Sequence, residues 1–174
     1  MAGTQLWQGH QAGERSRQVV EAMDIPEAVD EETPDYQVYP EMEMPTIEVT
    51  SYRYIGILTL PALNLQLPVM EEWDYQRLDV SPCRFSGSVY TDDMIIAGHS
   101  YAGHFGGLHL LSVGDRLSFE DAEGHVFNYS VGSVETLGAM ELGALTSKEW
   151  NLTLFTCDGS GYRRVVIRCT RLDS

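Results

Sequence analysis

The sequence predicts a mostly β protein, an antiparallel barrel or sandwich that follows an acidic extension. Three observations lead there. From Tyr52 onward the chain is a succession of short apolar runs broken by turn residues, the pattern of many short strands with close connections. Asp121-Ala122-Glu123-Gly124 separates two of these runs and ends on the residue that enters left-handed backbone at least cost, as a hairpin turn requires. Beyond residue 50, only Glu71–Val80 and Glu141–Glu149 suit short helices.

Taken in order, residues 1–50 form the extension and 51–174 the β domain, with the boundary near Ile47–Ser51. Gln11 to Met23 can make a short helix with Val19, Val20 and Met23 roughly on one side. Ile25 to Pro45 is rich in Glu and Asp, with Pro26, Pro34, Pro40 and Pro45 spaced through it. Such a segment buries little surface and is expected to be extended or mobile. The expected strands are Tyr52–Leu60, Leu65–Met70, Ser88–Thr91, Met94–Ser100, Arg116–Glu120, Val126–Thr136, Leu152–Cys157 and Arg164–Thr170. The 174 residues suffice for one domain plus this tail, and no internal repeat or low-complexity tract occurs.

The formal net charge is −15, which argues against nucleic acid as a partner, since phosphate binding needs a basic stripe. The acidity is uneven: residues 1–50 carry eleven acidic and two basic side chains, and the remainder fifteen and nine. No stretch reaches the ~18 apolar residues of a membrane span, and no basic region followed by an apolar one opens the chain. Alone, this suggests an intracellular protein; Met1-Ala2-Gly3 reads equally as an artificial start after removal of an anchor.

The chemistry centres on Cys157. It closes the run Leu152-Thr153-Leu154-Phe155-Thr156-Cys157, a tight Asp158-Gly159-Ser160-Gly161 follows, and Arg163-Arg164 opens the next run. A thiol at a strand end is held rigidly, and the returning chain delivers a cation beside it. This suits a thiolate nucleophile and a transition state with negative oxygen charge. Met94–Ser100 is a second apolar run containing Gly98-His99. A Cys and a His distant in sequence, each at a strand terminus, form the layout of cysteine nucleophilic catalysis. In the last strand Arg164, Val166 and Arg168 alternate with the apolar set Val165, Ile167 and Cys169, so Arg164 rather than Arg163 is expected on the outer, substrate-facing side. Thr156, Ser100 and Arg163 flank the catalytic group as candidate substrate-binding residues.

Other constellations carry less. His99, His104 and His109 recur every five residues among glycines, a spacing that places metal ligands poorly, so neither metal nor cofactor is expected. Ser160 lacks the G-x-S-x-G context and reads as a turn residue. Asp92, Asp93 and Asp158 are the acids nearest in sequence to the Cys–His pair, each by default a solvated loop charge.

Thr153-Leu154-Phe155-Thr156-Cys157 followed by Arg164 resembles the TLxTC…R signature of sortases. Ile96-Ala97-Gly98-His99, with Phe105, Leu108 and Gly114-Asp115, is similar to the sortase histidine segment. Tyr54–Pro61 with Leu67-Pro68-Val69 looks like that family's first strands. The likeness spans roughly residues 52–172 in the right order. It implies an eight-stranded, antiparallel-rich β-barrel with one or two short helices, class B-like or D-like, with a short Cys-to-Arg loop. It also implies a cysteine transpeptidase that cleaves an LPxTG-like sorting signal and passes the acyl group to an amine of the cell-wall precursor or of a pilin. Cys157 would attack, Arg164 would bind the oxyanion, and His99 would move the proton. Residues 72–90 and 137–150 are expected to set the motif read. The resemblance places the enzyme outside a Gram-positive cell, held by an N-terminal membrane helix that this chain lacks. That setting motivates a Cys83–Cys169 disulfide, and it makes the acidic extension a spacer to the anchor or, second, a lid over the groove. Two alternatives remain open: a cysteine peptidase that only hydrolyses, and an inactive peptide-binding barrel.

Overall fold

A computed structural model describes residues 2–28, 33–101, 103–138, 149–156 and 163–172. Two helices precede the sheet, α1 (Ala2–Met23) and α2 (Asp35–Val38). The strands β1 (Ile47–Val49), β2 (Tyr52–Leu60) and β3 (Leu65–Met70) follow, then helix α3 (Tyr75–Leu78). Next come β4 (Cys83–Ser86), β5 (Met94–Gly98), β6 (Arg116–Asp121), β7 (Val126–Gly138), β8 (Leu152–Thr156) and β9 (Arg163–Arg171). The β-branched and aromatic residues crowding these runs favour a pleated, half-buried backbone.

The sheet order is β1-β2-β3-β4-β5-β8-β9-β7-β6, and β6 pairs back onto β2. Eight strands therefore close into a barrel, with β1 added beside β2. Closure leaves the described barrel strands without a free edge along that seam. Gly56 lies on it: a Cβ there would collide with the Glu120 carbonyl and the Phe119 ring, so only glycine lets β2 approach β6 so closely. Two pairings are parallel, β3 with β4 and β5 with β8, and the rest antiparallel.

Alternation sorts the apolar side chains into two clusters. Leu58, Val69, Ile96, Phe119, Leu154 and Ile167 fill the interior. Their neighbours Ile57, Met70, Ile95, Ala97, Phe155 and Val166 form a second cluster on the outer face. Helix α1 covers part of that face, with Met23 buried and Val19 and Val20 packed against it.

Several sequence expectations are corrected here. Ser88–Thr91 is a turn, not a strand; the strand in this region is β4. The Asp93 carboxylate accepts the Ser88 amide (3.1 Å) and the Thr91 hydroxyl (2.5 Å), and Asp92 adopts a φ of 56°, which folds the chain over. Glu71–Val80 contains only the single turn α3, begun by Asp74, whose carboxylate accepts the Arg77 amide at 2.6 Å. The helix expected over Gln11–Met23 starts at Ala2. Of Glu141–Glu149, residues 141–148 lie outside the described part.

The described residues of the segment expected to be extended or mobile include several that dock on the barrel. Tyr36 stacks on Tyr90 with centroids 4.8 Å apart, and Met44 is buried in the interior cluster with Met42 beside it. The Pro26 carbonyl lies against Gly124 in the β6–β7 turn. These few large side chains, spaced without period through an acidic stretch, supply the burial that its average composition hides.

Candidate functional site

Strand β5 ends at Gly98, and the next residue is His99. Gly98 is obligatory for packing, because a Cβ there would enter the ring of the fully buried Phe105. The Phe105 amide donates back to the His99 carbonyl at 3.0 Å, so the loop returns and pins the backbone on which the imidazole stands. The His99 side chain is 24% exposed. Its ring stacks on Tyr101, with centroids 3.7 Å apart and planes 22° apart. His99 Nε2 lies 3.8 Å from Oδ1 of Asp79, the residue after α3. The Tyr101 hydroxyl donates to the same oxygen at 3.3 Å. Burial first, then the Asp79 charge and this hydrogen bond, raise the Tyr101 hydroxyl's pKa.

Strands β5 and β8 run parallel, and the last pair in their ladder is Gly98 with Thr156. Thr156 is buried, and its Oγ1 accepts the Val165 amide at 3.0 Å. This bond ties the end of β8 to the start of β9. Phe155 is paired with Val166, and both belong to the outer cluster. Arg164 lies one alternation step beyond Val166, and its guanidinium carbon sits 5.7 Å from the Phe155 ring centroid, within cation–π range. A row of rings continues from there: Phe155 to Phe85 at 5.3 Å and Phe85 to the partly exposed Trp73 at 5.4 Å.

Cys157, the nucleophile expected from the sequence, lies outside the described residues, as do Asp158 and Ser160. Arg163 opens β9, and its side chain is outside the described part. Ser100 is half-buried in the loop after His99. The other two cysteines are buried thiols, and burial pushes each up to about 12. Asp74 adds to the rise at Cys83, and Arg77 opposes it. A thiol so placed yields almost no thiolate at neutral pH. The expected Cys83–Cys169 disulfide is not formed: both are free, and they belong to opposite faces of the sheet, Cys83 in the outer cluster and Cys169 in the interior.

Two of the acids nearest in sequence are engaged elsewhere. Asp92 pairs with Arg171 at 3.2 Å, and Asp93 holds the 88–93 turn. The carboxylate beside His99 belongs to Asp79, twenty positions upstream, and no motif marks it. His104 is buried while His109 is exposed, and among the described residues no three His, Cys, Asp or Glu side chains gather as metal ligands. Val166 and Arg168 also correct the alternation reading, which made their face the open one. Val166 is buried in the outer cluster, and Arg168 is 3% exposed, pairing with Glu135 and Thr153 at 3.2 Å each.

The sortase domain family matches residues 58–172. Among solved structures the chain is similar to sortase A from Corynebacterium diphtheriae, with TM-score 0.62 and 18% identity over 95% of this chain and 85% of that one. It is also similar to sortase C1 from Streptococcus agalactiae, with TM-score 0.62 and 20% identity over 95% and 90%. Sortase C-3 from Streptococcus pneumoniae gives 0.58 and 22% over 99% and 85%. At these identities the structures establish a shared fold. No curated protein sequence matches the chain.

Proposed function

The chain belongs to the sortase family, the family of cysteine transpeptidases, and from that membership we propose that Cys157, His99 and Arg164 carry its chemistry. The observation that carries the reading is the parallel ladder ending at Gly98–Thr156. His99 and Cys157 are the next residues of those two strands, and consecutive Cα atoms are only ~3.8 Å apart. Alternation gives His99 the parity of Ala97, and continued one residue beyond Thr156 it would give Cys157 that of Phe155; Ala97 and Phe155 belong to the outer cluster, to which Arg164 is also turned.

The reaction follows from these roles. The Cys157 thiolate attacks the carbonyl of the signal's threonine, and Arg164 stabilises the oxygen charge that develops. Protonated His99 gives its proton to the leaving amine, which leaves a thioester on Cys157. An incoming amine then loses a proton to His99 and attacks the thioester, forming a new amide and freeing the Cys157 thiolate, with His99 again protonated. Ser100, Thr156 and Arg163 flank these positions as candidate substrate contacts. The reading takes the substrate to be an LPxTG-like sorting signal and the acceptor an amine of the cell wall or of a pilin, at the outer face of a Gram-positive membrane. No described helix is long and apolar enough to cross a membrane.

The test uses peptides ending in LPxTG-like variants, with and without an added amine, read by intact-protein and product mass. The expected result is an acyl-enzyme and an amine-ligated product, both lost in Cys157→Ala. Hydrolysed product alone, even with excess amine, would point to a peptidase. A Cys157→Ala variant that behaves as the parent in every assay would point to an inactive binding barrel.

A further inference from the structure

Asp79 and Tyr101 come from separate elements and meet at one imidazole. Asp79 ends the α3 turn, while Tyr101 lies in the loop after β5. The tyrosine ring covers a face of His99 at 3.7 Å, and its hydroxyl is bonded to the oxygen that stands 3.8 Å from His99 Nε2. Nδ1, by contrast, is shielded from solvent. The three groups form a closed triangle. A carboxylate within ion-pair reach and a π-face over the ring each favour the imidazolium over the neutral ring. The carboxylate also draws the Nε2 proton toward itself.

We propose that Asp79 and Tyr101 are positioning residues that fix the His99 ring and hold it in the protonated form. The inference rests on the reading of His99 as the acid–base group and adds the two residues that set its state. Another ionisable group around the loop is His104, whose ring is 5.8 Å from that of Tyr101. Asp79 is 63% exposed at its side chain, so the effect is that of a solvent-screened pair and weakens with salt.

The experiment follows the ring protons of His99 by NMR as a function of pH, with the signal assigned by its loss in His99→Gln. Asp79→Asn is expected to move the His99 titration to lower pH by a few tenths of a unit, with the movement shrinking at high salt and restored in Asp79→Glu. Tyr101→Phe keeps the stack but no longer holds the Asp79 carboxylate beside Nε2, and so gives a smaller movement in the same direction. The alkaline limb of kcat/KM should move with the NMR midpoint. An unmoved His99 titration in folded Asp79→Asn and Tyr101→Phe overturns the proposal. The NMR readout needs no turnover, so a parent without ligation activity would end the catalytic reading while leaving the clamp tested on its own.

Discussion

Replacing Gly98 by alanine tests how the site histidine is seated. The added methyl would stand 2.5 Å from Cγ and 2.8 Å from Cε2 of Phe105, where ordinary contact needs 3.4–4 Å. The ring must therefore withdraw by about 1 Å, and it is fully buried with nowhere open to go. Overpacking of this kind costs about 1–3 kcal/mol. For a chain of this size the middle of that range lowers Tm by about 4–8 °C. Phe105 is also bonded through its amide to the His99 carbonyl, so its retreat drags the imidazole. A misplacement near 1 Å lowers turnover roughly 100-fold. Thermal unfolding and amine ligation measure the two effects separately. Phe105→Leu, which removes part of the ring, should relieve Gly98→Ala, so the double variant should lose less than the sum of the singles. A Gly98→Ala protein with the parent's Tm and ligation rate would refute the reasoning.

Arg164→Ala should lower ligation turnover about 10²–10³-fold, the loss expected for one oxyanion donor, with an unchanged urea midpoint; a loss of stability of similar size would make Arg164 a packing residue. Met44→Ala should cost about 2–5 kcal/mol in urea unfolding, since Met44 is buried in the interior cluster; a negligible change would mean that the extension contributes nothing to the barrel. Alkaline pH should destabilise the fold. The Cys83 and Cys169 thiols rise from 9.0 to about 12 and the Tyr54 hydroxyl from 10.0 to about 12, burial being the first cause of each. The unfolded chain therefore releases these protons first, and stability falls as pH climbs from about 9 toward 12. Tm measured between pH 8 and 11 should decline, and a flat profile would contradict this. At pH 8 neither Cys83 nor Cys169 should react with iodoacetamide until the protein is unfolded.

What the sequence discloses is what local pattern encodes. Strands β2 and β3 have the predicted bounds, because Tyr52–Leu60 and Leu65–Met70 are uninterrupted runs with a clear break between them. The runs that lead to Gly98 and Thr156 were legible for the same reason. Ser88–Thr91 misled because its composition suits a strand while Asp92 and Asp93 bend the chain. Asp79 was invisible: its nearness to His99 arises from tertiary folding, and an aspartate after a single helical turn carries no local mark. The docking of Tyr36 and Met44 was hidden likewise, since it comes from isolated anchors and not from a periodic face. The burial of Arg168 required knowing that Glu135 of β7 and Thr153 of β8 flank it in the sheet.

The parallel pairing of β5 with β8 separates the tolerance of the site from the length of chain between its halves. Alignment is inherited from a backbone ladder, so the long stretch from residue 100 to 151 can lengthen or shorten at its turns without disturbing it. A deletion of one residue inside either strand is another matter. With a side-chain period of two, such a slip would turn the terminal residue toward the interior and bring an apolar one outward. Insertions and deletions are thus free to accumulate in the connections, while the two short strands admit substitution but not a change in count.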